Sequence, residues 1–574
     1  MSDAVASTNQ ERPSTGIGRF LPLLVLLISM AIPWFSAGDH PLYSPDEGRY
    51  GIASLKMAEG GSWLVPRFRG QAHLKKPPLT YWSQAIALRL LGRTELAVRL
   101  PSLLASSLTI LVLYLTARRL ASASVAALAV GTVAMMPLFM FVGRLGTTDA
   151  MLTFFWFSAL AGGYFAIHTG RARWAVLMWS AVALGWLTKG PLALTPIAVL
   201  LLWLAFARRW RAIRRLHVLI GLPLSLIPIA LWVLLVIRAN PEALQTWHNE
   251  IVDRITGDGG AHPEPFWYYV PVFLAGLFPA TAMLALPGWN LPWRAAGRKL
   301  RTGGASCLWA LAVIGPLIMF SIMSGKLATY LLPLCPPLAL LNGLMLERWL
   351  TGAAERCRRP PEVVRTLGVF VILLVSGIIA GAALFSVRLL WWTPPLLLPA
   401  AACLWMWMIW KRQAARRAAG LAAVWAAWMV SWATIFLMEN DVLAPYSAAA
   451  LVRQVRDLSG DEQPSIYTLG FADPTLGFYN GREARRVYDG ADLQSLIAEH
   501  DQGAAVLLLI DDNSFEKSRA RCGSAIDAFT RVDTWQRTIT HTAGIYVPAD
   551  HTPPASGTSI DEVTEGADSG SAGP

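Results

Sequence analysis

From Phe20 to about Glu439 the chain repeats one pattern, an apolar run, a short polar break and another apolar run. Each run is long enough to cross a ~30 Å hydrocarbon core, which takes roughly 20 helical residues. Backbone groups in lipid must be satisfied within the segment, so these runs are expected to be helices. The starts fall at Phe20, Leu96, Ala121, Ala150, Trp174, Leu192, Val218, Trp267, Cys307, Leu327, Thr366, Thr393 and Ala418. That spacing predicts about thirteen spans.

After Glu439 the pattern changes to lower hydrophobicity with more Asp, Glu and Gly. Ser465 to Leu469, Ala504 to Ile510 and Gly544 to Val547 read as strands, and Asp492 to His500 and Phe515 to Arg521 as helices. Residues 441–550 are therefore expected to form a small soluble α/β domain, and residues 551–574, rich in Pro, Gly, Ser and acids, to be disordered. The fold class is a polytopic α-helical membrane protein, with residues 1–440 as its transmembrane domain.

The first loop, 39–95, is too polar to cross the membrane and too patterned for a random connection. Glu47 to Glu59 has helical propensity after S-P-D-E, where Ser44 can cap, Pro45 suits the first turn and the acids complement the helix dipole. Lys76-Pro77-Pro78 stops one element, and Leu79 to Leu91 is expected to be a second, amphipathic helix lying on the membrane.

Apolar residues make up 54% of the 574 and charged residues 15%, with a mean hydropathy of +0.44. The net charge of +12 could point to nucleic acid, but the basic residues cluster in every second short loop, as at Arg118 and Arg119, Arg208 to Arg215, and Lys411 to Arg417. The positive-inside rule explains them, puts the N-terminus in the cytoplasm and, with an odd span count, puts everything after Glu439 outside. Phe20 to Ala37 lacks a small-x-small cleavage site and reads as an uncleaved first span. The five cysteines show no metal-ligand spacing and no disulfide framework.

The opposite loops carry few charges, and those few are the candidate chemistry. Asp46, with Glu47, follows the first span, and Asp149 sits at the mouth of the fourth; carboxylates at span ends are costly enough to suggest function. Both could instead cap helices. Lys75 and Lys76 could snorkel to headgroups, but Pro77-Pro78 fixes an ammonium well for a phosphate, and Lys76 is favoured. Arg254 is suited to a bidentate phosphate contact. His262 and Glu264, in the same loop, are the candidates for a metal, with a solvated loop histidine the alternative reading. Trp267, Tyr268 and Tyr269 read as an interfacial belt. Lys326 at an outer helix start opposes the helix dipole and calls for an anionic partner, with Tyr330 one turn on. Lys189 either joins that cluster or marks a loop.

Taken together, D-E-G-R-Y from Asp46, K-K-P-P-L-T-Y-W from Lys75, G-D-G-G-A-H-P-E-P-F-W-Y-Y and S-G-K-L-A-T-Y-L-L-P resemble the lipid A aminoarabinose transferases of Gram-negative bacteria. These are GT-C glycosyltransferases, similar in plan to protein O-mannosyltransferases. The resemblance implies inverting transfer of 4-amino-4-deoxy-L-arabinose from undecaprenyl phosphate to a lipid A phosphate at the periplasmic face of the inner membrane, giving polymyxin resistance. It implies Asp46 and Asp149 as the acidic residues, Glu47 beside them, and Lys76, Lys75, Arg49, Tyr50, Tyr81, Arg254, Lys326 and Tyr330 as donor or acceptor contacts. No cofactor is required by this reading, and a divalent metal stays open. The expected partners are the lipid-linked donor, lipid A and membrane lipid, without nucleic acid, and the expected state is a monomer. The rival readings are a polyprenyl-phosphate hexose transferase acting on hydroxyls, and a lipid or sugar flippase. A flippase would need ionisable groups through the membrane depth, whereas these collect on one face.

Overall fold

The computed structural model describes residues 16–74, 76–256, 264–284, 304–350, 414–459, 463–502, 505–536 and 542–549. Lys75, His262, Cys357, Cys403, the spans expected from Thr366 and Thr393, and residues 551–574 lie outside the described residues. The chain divides into two compact units, one of residues 1–40 and 53–440, the other of residues 41–52 and 441–574.

The first unit is helical. Among the described residues, seven helical stretches are long and apolar enough to cross a membrane: Glu95–Leu120, Thr148–Thr169, Ala172–Phe206, Val218–Ala239, Ala305–Ile322, Ala328–Arg348 and Ala419–Glu439. Three shorter apolar helices, Phe20–Trp34, Ala123–Met135 and Phe266–Gly276, accompany them. The chain is a multi-pass membrane protein. The span expected from Ala121 breaks at Pro137, which opens a separate six-residue helix, Pro137–Val142. Proline has no N–H to continue the ladder, and hydropathy alone does not register that. The two spans expected from Trp174 and Leu192 form one 35-residue helical stretch, interrupted by a 3-10 turn at Gly190–Leu194.

Thr148–Thr169 is the most enclosed of these helices, with 89% of its apolar window buried, whereas Val218–Ala239 is 28% buried and turns Leu219 and Ile220 outward. Gly162 explains part of that enclosure. A Cβ there would lie 3.0 Å from the backbone of both Trp174 and Met178 on the next helix, so the missing side chain permits the close approach that membrane helices use for packing. Within the first loop, the helix expected from Leu79 runs Leu79–Leu91, and a two-residue hairpin that the sequence did not announce, β1 (Arg67–Phe68) with β2 (Gln71–Ala72), precedes it.

The second unit carries β3 (Ser465–Leu469), β4 (Arg485–Val487), β5 (Val506–Asp511), β6 (Phe529–Gln536) and β7 (Thr542–Pro548). They form one sheet in the order β4-β3-β5-β7-β6, with β3 parallel to β4 and β5, and β7 antiparallel to β5 and β6. Strand β5 reads V-L-L-L-I-D and is buried throughout, the pattern of a strand covered on both faces. Helices Ala448–Ser459, Pro474–Asn480, Gly490–Asp501 and Phe515–Cys522 accompany the sheet.

Candidate active site

Asp149 and Lys189 meet because of where they sit on two consecutive helices. Thr148–Thr169 and Ala172–Lys189 are joined at Gly170, which takes φ +67 and ends the first helix in the left-handed conformation. An αL glycine is the usual way to stop a helix. The first turn of one helix and the last turn of the next then meet. An acid belongs in a first turn and a cation in a last turn, so the dipoles of both helices favour these two charges.

Lys189 Nζ lies 2.5 Å from Asp149 Oδ1, and the side chains are 8% and 10% exposed. Thr147 Oγ1 donates to the other carboxylate oxygen at 3.2 Å. The ammonium also stands 5.0 Å over the Tyr330 ring, a cation–π arrangement that strengthens with desolvation. Asp149, Lys189 and Tyr330 line a narrow cleft, whose other walls include Leu152, Trp156, Leu192 and Phe320. Trp156 Nε1 donates to Thr195 Oγ1 at 2.6 Å and fixes one wall. A charged end with apolar walls suits an amphiphile bearing an ionic or sugar headgroup.

The structure thus brings together Asp149, Tyr330 and Lys189, the last of which the sequence left between cluster and loop. Lys326 stands differently from expectation. The helix proper begins at Cys335, after a 3-10 turn at Ala328–Leu334, so the expected conflict with a helix dipole does not arise. Lys326 is buried and its Nζ donates to the Glu264 carbonyl at 2.8 Å. Glu264 thereby contributes its backbone here. Tyr269 is also buried, unlike a belt residue, and its hydroxyl donates to the Leu327 carbonyl at 3.1 Å. Trp267 is exposed, as a belt residue is.

Arg254, expected in a loop, falls on the helix Ala243–Thr256, with its side chain outside the described residues. The same helix is tied down by Trp247, whose Nε1 donates to the Leu74 carbonyl at 2.9 Å. Lys76 is half-buried in the bend before Leu79–Leu91, and Tyr81 is buried on that helix, edge-on to His73 with ring centres 6.1 Å apart. Among the described residues no group of three His, Cys, Asp or Glu side chains is placed to hold a metal.

Asp46, Glu47, Arg49 and Tyr50 open the helix Asp46–Ala58, and residues up to Ile52 belong to the second unit. Glu47 is buried and its Oε2 accepts from the Tyr43 backbone N–H at 2.8 Å, which gives it a part in holding the turn. The Asp46 side chain is 68% exposed and faces Arg49 Nη1 at 3.6 Å. Ser44 does not cap this helix as expected; its hydroxyl donates to Asp473 Oδ1 at 2.8 Å.

Two buried polar networks escaped the sequence. Gln84, on Leu79–Leu91, donates to the carbonyls of Val98 and Gly146, each at 2.9 Å, and accepts from Ser54 Oγ at the same distance. Arg144 pairs with Glu439 at 3.0 Å, donates to the Phe35 carbonyl, and lies 3.7 Å over the Phe436 ring. His40 Nε2 is 3.4 Å from the same carboxylate, and Arg99 donates to the carbonyls of Ala37 and His40. The available signal was Arg99 inside an apolar run, since charge within a span marks a partner.

Residues 75–234 match the dolichyl-phosphate-mannose-protein mannosyltransferase family. An undecaprenyl phosphate-alpha-4-amino-4-deoxy-L-arabinose arabinosyl transferase of Edwardsiella ictaluri is 33% identical over 346 residues, 58% of this chain and 61% of that protein. The protein of the same name from Pseudomonas aeruginosa is 31% identical over 393 residues, 62% of this chain and 70% of its own length. The chain belongs to this aminoarabinose transferase family. It spans about three fifths of the length of several of the curated relatives it matches. The aminoarabinose transferase fold extends over almost the whole chain: a crystal structure of ArnT from Cupriavidus metallidurans bound to undecaprenyl phosphate superposes with a TM-score of 0.72 at 20% identity, covering 92% of this chain and 98% of that one.

Proposed function

We propose that this chain is an inverting glycosyltransferase that moves 4-amino-4-deoxy-L-arabinose from undecaprenyl phosphate to a phosphate of lipid A. The observation that carries the reading is the cleft, where a buried ammonium–carboxylate pair under a tyrosine ring is walled by Leu152, Leu192 and Phe320. The names of its relatives supply the donor and the sugar. The reaction takes place at the periplasmic face of the inner membrane, by a monomer with about thirteen spans and a periplasmic domain over residues 441–550.

In this reading a lipid A phosphate oxygen attacks the anomeric carbon, the bond from that carbon to the donor phosphate oxygen breaks, and undecaprenyl phosphate leaves with the electron pair. Positive charge grows on the sugar and negative charge on the leaving phosphate. Cations fixed on that phosphate stabilise the transition state, the role proposed for Lys76 and Arg254, with Lys75 and Lys326 as further contacts; loss of one such donor costs about 2.7–4 kcal/mol. A phosphate monoester, with its second pKa near 6, is already largely a dianion at neutral pH, so no general base is required. Asp46 then orients the acceptor or pairs with the sugar's amine. Lys189 holds the Asp149 carboxylate in one position facing the cleft.

The match of residues 75–234 to a mannosyltransferase family favours one second reading, transfer of a hexose from a polyprenyl phosphate to a hydroxyl. Vesicles containing the purified protein, offered both lipid-linked donors with lipid A, separate the two. Aminoarabinose-bearing lipid A, lost on Lys189→Met, is the expected product. Turnover of the hexose donor alone would reject the aminoarabinose reading.

A further inference from the structure

Strand β3 is parallel to β4 on one side and to β5 on the other, and the chain visits β4 before it crosses to β5. The strand order therefore reverses at the C-terminal end of β3, the place where open α/β sheets bind their ligands. Here the segment leaving that end, through Asp473 into the helix Pro474–Asn480, carries residues 41–52 of the same chain, which belong to the same compact unit.

The contacts are specific. Tyr479 Oη accepts from the Leu42 backbone N–H at 2.8 Å, and Asp473 Oδ1 accepts from Ser44 Oγ at 2.8 Å while also capping its own helix through Thr475 N–H at 2.9 Å. Gly48 lies flat on Thr475, where a Cβ would come 2.5 Å from Cγ2 and 2.7 Å from the backbone nitrogen. One turn further, buried Ile52 faces Gly477, where a Cβ would sit 3.4 Å from Ile52 Cγ1. The turn that carries Asp46 is thus fixed on both flanks, at Ser44 and at Gly48, while the Asp46 side chain itself stays exposed.

We propose that Asp473, Thr475 and Tyr479 are positioning residues, and that the C-terminal unit acts as a clamp setting the position of the Asp46 turn for transfer. The proposal rests on the functional reading above for the role of Asp46. Because Asp473 holds both its own helix and Ser44, the clamp couples the fold of the α/β unit to the acidic turn. Misplacing a reacting group by about 1 Å costs up to about a hundredfold in rate. Gly48→Ala and Ser44→Ala are accordingly expected to lower kcat by about tenfold to a hundredfold with little change in the donor KM.

The test uses the full-length protein in detergent or vesicles. Hydrogen exchange over residues 42–50 is measured in wild type, Tyr479→Phe, Gly48→Ala and Ser44→Ala, alongside kcat and donor KM. Ser44→Thr, which keeps the hydroxyl, serves as the conservative rescue. Faster exchange of this segment, with kcat lowered, KM held and Ser44→Thr near wild type, is the expected result. Unchanged exchange in Tyr479→Phe and Gly48→Ala, or faster exchange with wild-type kcat, would overturn the clamp. A wild-type protein that transfers no aminoarabinose rejects the functional reading instead, and the exchange measurement still decides whether the clamp exists.

Discussion

Breaking the Asp149–Lys189 pair should cost far more than breaking a surface ion pair, and the geometry says why. At 2.5 Å, two unit charges attract by about 7 kcal/mol at an effective dielectric of about 20, and desolvation offsets most of it. Both side chains are at least nine-tenths buried, so removing one partner strands the other, a situation that costs about 3–5 kcal/mol. Lys189→Met also loses the stacking on Tyr330, about 0.5–2 kcal/mol. Thermal unfolding of the detergent-solubilised protein, followed through its 25 tryptophans, reads Lys189→Met, Asp149→Asn and the double variant. Each single variant is expected to lose several kcal/mol, and the double variant to cost less than either, because no charge is left unpaired. Additive effects below about 1 kcal/mol each, typical of solvent-exposed pairs, would refute the burial argument.

Glu439→Gln should destabilise the first unit by about 3–5 kcal/mol, because it leaves Arg144 charged within Phe35 and Phe436; a melting curve unchanged from wild type would contradict this. Gly221→Ala places a Cβ 1.9 Å from Trp179 Cδ1, and that ring is held by its own hydrogen bond to the Leu216 carbonyl, so an overpacking cost of about 1–3 kcal/mol is expected in the same assay. Burial and the hydrogen bond to Glu499 push the Tyr467 phenol up to about 12. The folded state then holds this proton more tightly than the unfolded state, so the contribution is present below pH 10 and is lost as pH rises towards 12. Melting of the C-terminal unit between pH 9 and about 12 should fall more steeply in wild type than in Tyr467→Phe.

Elements set by local chemistry were readable in the chain. Lys76-Pro77-Pro78 announced the start of Leu79–Leu91, and the apolar runs of residues 465–469 and 504–510 announced β3 and β5. What depended on contacts between distant residues was not. Asp149 and Lys189 are 40 positions apart, the first read as the mouth of a span and the second left between cluster and loop; the packing of Thr148–Thr169 against Ala172–Lys189 makes them a pair. Ser44 had every local reason to cap its helix, yet its partner is Asp473, 429 positions away. Arg144 finds its partner Glu439 295 positions away, so no local pattern announced the pair. Pro137 was visible but outweighed by an apolar run that looked continuous on either side of it.

Transfer of aminoarabinose to a lipid A phosphate is read out by mass spectrometry of lipid A from a Gram-negative host lacking its own transferase, with and without this chain. A phosphate-linked aminoarabinose increment is expected with the wild-type chain, and its loss with Asp149→Asn. Unmodified lipid A from a host that makes the lipid-linked donor and carries the folded protein would contradict it.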